Sequence, residues 1–136
     1  MIAQTLTTSF KAQLYEGVHD LLTDVIKIAL YTAPANLGAD TTIYSATDEV
    51  VATGYTAGGE VLSGITVATL GTVAYVGFPN VSWTSSLTAR GALIYNSSQG
   101  NKSIAVLDFG SDKTSTTTFT VTMPANTSTA ALIRSS

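Results

Sequence analysis

The sequence predicts a mainly β protein, an antiparallel sandwich or barrel-like domain with one N-terminal α-helix, and three observations carry that reading. Two apolar runs of matched length, residues 89–96 and 104–110, flank the polar segment Ser97-Ser98-Gln99-Gly100-Asn101-Lys102. β-branched and aromatic residues around a linker rich in Gly, Asn and Ser describe a hairpin. From Thr118 to Met123, Thr alternates with Phe119, Val121 and Met123, the period of two expected of a sheet with one buried face. Further short runs separated by turn residues continue to the end of the chain.

The 136 residues fit one domain with a single core, 1–136. Residues 1–8 read as an N-terminal arm. Phe10, Leu14, Val18 and Leu21 recur at helical spacing, with Lys11, Gln13, Glu16 and Asp20 on the other side, which predicts a helix over 9–22 started by Ser9. Gly17 weakens such a helix by about 1 kcal/mol relative to Ala, so it needs to dock on a sheet. Strands and loops fill 25–134. The first strand, 25–32, stops at Ala33-Pro34, where proline removes a ladder donor. Periodicity fades over 36–60, where residues 46–50 suit a short helical turn and Gly54, Gly58 and Gly59 mark sharp bends. Strands are expected at 64–69, 73–78, 81–83, in the hairpin, at 116–123 and at 130–134. A long irregular segment inside a compact domain is usually functional or interface-forming.

Apolar residues make up 45% of the chain and charged residues 11%, against about 25% charged in an average soluble protein. Ser and Thr cover the solvent side instead. Such a surface loses less rotamer entropy and hydration on contact than one built of Lys and Glu, so it suits lasting association with a partner. The net charge of −3 lacks the clustered Lys and Arg that phosphate neutralisation requires, so nucleic acid is not expected as a ligand. No cysteine is present, which excludes disulfides and thiolate metal sites. The first eight residues lack a basic start and an apolar run, and no stretch approaches the ~20 residues of a membrane span, so neither secretion nor membrane insertion is expected.

Catalytic chemistry finds little to rest on. His19 is the only histidine and reads as a partly exposed structural residue; the acids are dispersed apart from Asp48-Glu49. Asp108-Phe109-Gly110 spells a kinase triplet without any other kinase motif and reads as a strand end, with Phe109 inward. Gly54-Tyr55-Thr56-Ala57-Gly58-Gly59 lacks the Lys-Ser/Thr of a phosphate loop and reads as a turn. The four Asn-X-Ser/Thr matches are of the sort a Ser/Thr-rich chain produces by chance. No catalytic, metal or cofactor residue is assigned. Tyr44, Tyr55 and Trp83, in or beside irregular segments, are candidate interface anchors, as is Arg90 through an ion pair with a neighbour.

Ser9-Phe10-Lys11, Gly17-Val18-His19, residues 27–32, Thr41-Thr42-Ile43-Tyr44, 54–59, 89–96, 105–113 and Ala131-Leu132-Ile133-Arg134 together span nearly the whole chain. In this combination the sequence resembles small virion structural proteins of tailed bacteriophages, in particular capsid decoration, or cement, proteins. The resemblance implies a non-enzymatic, homotrimeric β-domain, made in the host cytoplasm and seated on the outer surface of the capsid. Its partners would be the major capsid protein and its own copies. Related readings are a tail or head–tail connector component and a surface carbohydrate- or receptor-binding module in which Trp83 and the tyrosines stack on sugars.

Overall fold

In the computed structural model, which describes residues 1–135, the chain forms three antiparallel sheets and one helix. The strands are β1 (Thr5–Leu6), β2 (Ile26–Tyr31), β3 (Glu60–Val61), β4 (Thr66–Leu70), β5 (Val73–Gly77), β6 (Val81–Trp83), β7 (Thr88–Asn96), β8 (Lys102–Thr114), β9 (Phe119–Val121) and β10 (Ile133–Ser135), with α1 at Thr8–Tyr15. A five-stranded sheet runs β1-β8-β7-β2-β3; β10-β5-β4 and β6-β9 form two smaller sheets. The sheets stay open and pack face to face, a sandwich-like arrangement rather than a closed barrel.

The predicted hairpin is the centre of the molecule. β7 and β8 pair from Asn96↔Lys102 to Thr88↔Thr114, and a 3-10 turn at Ser97–Gln99 closes them. Gly110, at φ 82°, does not end the second strand: β8 continues to Thr114. The register shifts twice, between Ala89 and Gly91 and between Ile94 and Tyr95, and such bulges add local twist.

Side-chain alternation along β2, β7 and β8 feeds two cores. Ile26, Ile28, Leu30, Ala92, Ile94 and Leu107 point toward the smaller sheets and meet Val76, Trp83, Phe119, Val121 and Ile133. Ala29, Tyr31, Leu93, Tyr95 and Val106 point the other way and are covered by Ile2, Ala35 and Leu37. Burial on both faces explains why these strands read as near-continuous apolar runs. In β9, Phe119 and Val121 are buried and Thr120 is exposed, as alternation predicts.

Several boundaries differ from the sequence reading. The helix ends at Tyr15 instead of residue 22, because Gly17 adopts φ 72° and its N–H bonds the Leu14 carbonyl while the Val18 N–H bonds that of Gln13. This is a Schellman stop. Leu14 is consequently exposed, and Leu21 reaches the core from a turn, not from the helix. Thr7, not Ser9, caps the helix, its hydroxyl accepting from the Phe10 N–H. The arm 1–8 is part of the fold: the Met1 ammonium donates to the Ala35 carbonyl, Ile2 bridges Leu37, and β1 pairs with Val106 and Ala105. Residues 46–50 form no helix; Asp48 sits at φ 62° in a turn. β3, at the end of the irregular segment, pairs with β2 as the sheet's edge and had no periodicity to announce it.

Candidate functional site

The irregular segment is organised around one buried acid, Glu49. Its Oε1 accepts from the Tyr44 hydroxyl at 2.5 Å, and its Oε2 accepts from the Tyr55 hydroxyl at 2.5 Å and the Gly58 N–H at 2.8 Å. Glu49 is 7% exposed, and its charge is met by hydrogen-bond donors rather than by an ion pair. The network continues outward: the Tyr55 oxygen accepts from the Leu30 N–H, Tyr95 donates to the Gly58 carbonyl, and Tyr31 donates to the Ser45 carbonyl. Tyr44 and Tyr95 stack with ring centroids 4.7 Å apart. The loop is thereby fastened to β2 and β7 through polar groups that burial makes costly to leave unpaired.

Burial, reinforced by the Glu49 charge, pushes the Tyr95 hydroxyl up to about 12 and holds those of Tyr31, Tyr44 and Tyr55 above the ordinary phenol range. These tyrosines are therefore neutral donors at physiological pH. The arrangement locks a loop; the carboxylate's lone pairs are engaged by the protein itself. In the sequence Asp48 and Glu49 stand out only as adjacent acids. An acid between Tyr44 and Tyr55 in an aperiodic, glycine-marked segment was the available signal.

Of the interface candidates, two belong to the interior. Tyr55 is 8% exposed and Trp83 2%, their rings 5.8 Å apart, and the Phe119 ring lies 6.4 Å from that of Trp83. Neither presents a ring face for a partner or a sugar, because both complete the core between the sheets; the Trp83 Nε1 is buried and has no hydrogen-bond partner among the described residues. Tyr44 is half-buried and committed to Glu49 and Tyr95. Arg90 is at the surface, where its guanidinium lies 3.5 Å from the Asp112 carboxylate of the same chain. Such exposed pairs contribute about 0–1 kcal/mol, so little opposes re-pairing with an outside acid.

His19 lies beyond the helix, half-buried against Phe10. Its Nδ1 is 3.0 Å from the Asn96 amide nitrogen, which also donates to Asp24, and its Nε2 is 2.7 Å from the Gln13 Oε1. These partners fix the neutral tautomer with the proton on Nε2. Both ring nitrogens serve to hold the helix end against the hairpin turn. Among the described residues, no group of three or more His, Cys, Asp or Glu is placed to hold a metal ion.

The surface divides by charge. Residues 61–89 and 114–133 contain no Lys, Arg, Asp or Glu. They supply β4, β5, β6 and β9, so the two smaller sheets form an uncharged lobe whose one charged strand residue is Arg134 of β10. All other charged side chains belong to the five-stranded sheet, the helix and the loops about it. On the lobe, Val67 and Leu70 of β4 are 50% and 64% exposed. Beside the lobe, a half-open groove of about 570 Å³ runs between β8 and β9, lined by Asp108, Phe109, Lys113, Phe119, Val121 and Met123 among others.

Comparison with protein-family models, curated protein sequences and solved structures finds no match to this chain.

Proposed function

We propose that this chain is a non-enzymatic structural protein of a tailed-phage virion, a capsid decoration protein that binds the assembled head as a homotrimer and strengthens it by linking neighbouring subunits. The observation that carries the reading is the uncharged lobe: two small sheets covered by Ser, Thr and exposed aliphatic side chains, set on a charged, tightly cored sheet. A surface of that composition is cheap to desolvate over a wide area, which suits permanent contact better than reversible recognition. The Glu49–tyrosine network supports it by holding the long loop in one conformation before any partner arrives, so that less ordering entropy opposes association. A protein that adds contacts only to the assembled shell stabilises that state by mass action. The net charge of −3 favours the shell's outside over the face that lines packaged DNA.

A tail or head–tail connector role draws on the same lobe and differs only in placement. Cryo-electron microscopy of the virion that contains this gene product separates the two. Density on the outer shell at three-fold and local three-fold positions is the expected result. Density confined to the tail axis or portal vertex overturns the decoration reading.

A further inference from the structure

The outer edge of β4 is unpaired and unguarded. β5 covers one side of β4, from Thr66↔Gly77 to Leu70↔Val73, and among the described residues no other strand pairs with the opposite side. Natural edges are usually blunted by charge, proline, a bulge or a covering loop, since open N–H and C=O groups invite another strand. Here the whole stretch 61–89 has no charged residue, β4 contains no proline, and its pairing with β5 is continuous, without a bulge. Along the strand Thr66, Val67, Thr69 and Leu70 are exposed and Ala68 is half-buried, and the one side-chain bond made to it is at its first residue, where the Asn126 amide donates to the Thr66 hydroxyl.

The backbone phase of this edge is fixed by the two-residue turn Gly71-Thr72. Gly71 sits at φ 61° at the first central position, and the turn bond joins the flanking residues Leu70 and Val73. Leu70, Ala68 and Thr66 therefore spend their backbone groups on β5, and Val67 and Thr69 direct theirs outward. That spacing is self-complementary. A second β4, antiparallel and centred on Ala68, places Val67 opposite Thr69 of the second copy and Thr69 opposite its Val67, giving four backbone hydrogen bonds about a two-fold axis. Ala68 then faces Ala68, small against small, with β-branched residues opposed on either side.

We propose that β4 is a homophilic edge: two copies of this chain join through antiparallel β4–β4 pairing about Ala68, extending the three-stranded sheet to a continuous six-stranded one. A second copy is the occupant that the edge fits, because a neutral edge meeting itself brings no like charges together and the outward groups match in register. The contact goes beyond the decoration reading and stands without it, since it concerns the free protein. In a trimeric assembly it would link one trimer to the next.

The chain's lack of cysteine permits a direct test. Residues directly opposed in a non-hydrogen-bonded antiparallel pair have Cα atoms about 4.5 Å apart, within disulfide reach. Under mild oxidation, Ala68→Cys is expected to give a disulfide-linked dimer, and Thr66→Cys, which faces Leu70 of the second copy, to stay largely unlinked. Sedimentation of the unmodified chain over a dilution series should show dimerisation. Thr69→Pro, which removes an outward N–H and no bond to β5, should weaken it about tenfold or more, and Val67→Lys should do the same through charge, with unchanged circular dichroism showing that each variant folds. Equal cross-linking at residues 66 and 68, an unmodified chain that remains monomeric, or association indifferent to both edge variants overturns the proposal and leaves the edge to a strand of another protein.

Discussion

Glu49 sets the chemistry of the loop at the scale of single residues. Glu49→Ala leaves the Tyr44 and Tyr55 hydroxyls and the Gly58 N–H without their acceptor, and at ~1–3 kcal/mol for each orphaned buried group the expected loss is about 3 kcal/mol or more in urea unfolding. Glu49→Gln retains one acceptor oxygen and should lose less. The tyrosines make a second prediction. Their folded-state values lie above the unfolded value of about 10, so the stability they contribute is complete below that pH and is lost as pH rises beyond it. Absorbance titration should show Tyr31, Tyr44, Tyr55 and Tyr95 ionising together with alkaline unfolding. His19 and Asp24 act at the acid end. Burial lowers the His19 value despite the nearby Asp24 charge, so the unfolded chain takes up its proton first and stability falls as pH drops below about 6.5. The hydrogen bond from Asn96 lowers that of Asp24, whose contribution is lost at still more acid pH. His19→Gln should flatten the first of these two slopes.

Two glycines decide element boundaries, and they give opposite lessons about local sequence. If the helix ran to residue 22, Gly17→Ala would stabilise it by about 1 kcal/mol. At φ 72° in a Schellman stop, the same substitution forces an L side chain into left-handed backbone and should destabilise by about 1 kcal/mol, although nothing crowds the added methyl. The sign of that change in thermal unfolding reports where the helix ends. Gly59 is a matter of space as well as φ. Its backbone, at φ 78°, packs so closely on Ile28 that a Cβ would overlap the Ile28 carbonyl, next to the Ile28↔Glu60 pair that starts β3. Gly59→Ala should therefore cost about 3 kcal/mol or more, or abolish soluble expression.

For the molecule as a whole, the governing feature is the separation of a charged, doubly covered sheet from an uncharged lobe. Contacts made through the lobe draw on backbone hydrogen bonds and apolar area, which salt screens little. Self-association through β4 should accordingly change by less than about threefold between low and physiological ionic strength, where an interface of ion pairs would weaken markedly. Sedimentation in a salt series checks this. Arg90 lies outside the lobe, so Arg90→Ala should leave that association intact and cost no more than about 1 kcal/mol of stability through its pair with Asp112.

Alternation and composition by themselves determined the β class, the central hairpin, the first strand and the inward set Phe119, Val121 and Met123, because a period of two is a local property of backbone geometry. The one-sided apolar stripe of Phe10, Leu14, Val18 and Leu21 was local too, and it misled, since Gly17 supports either a weak helix interior or a stop and only its φ distinguishes them. Tyr55 and Trp83 are open to an interface or a core role in the sequence alone, because it shows that a residue lies beside an irregular segment and not which way that segment folds. Tertiary packing turned both rings into the core, gathered Glu49 and four tyrosines from three separate stretches, and made the N-terminal arm a working strand. Those outcomes depend on contacts between residues far apart in the chain, such as Thr5 with Val106 and Tyr95 with Gly58, and no window of local periodicity contains both partners.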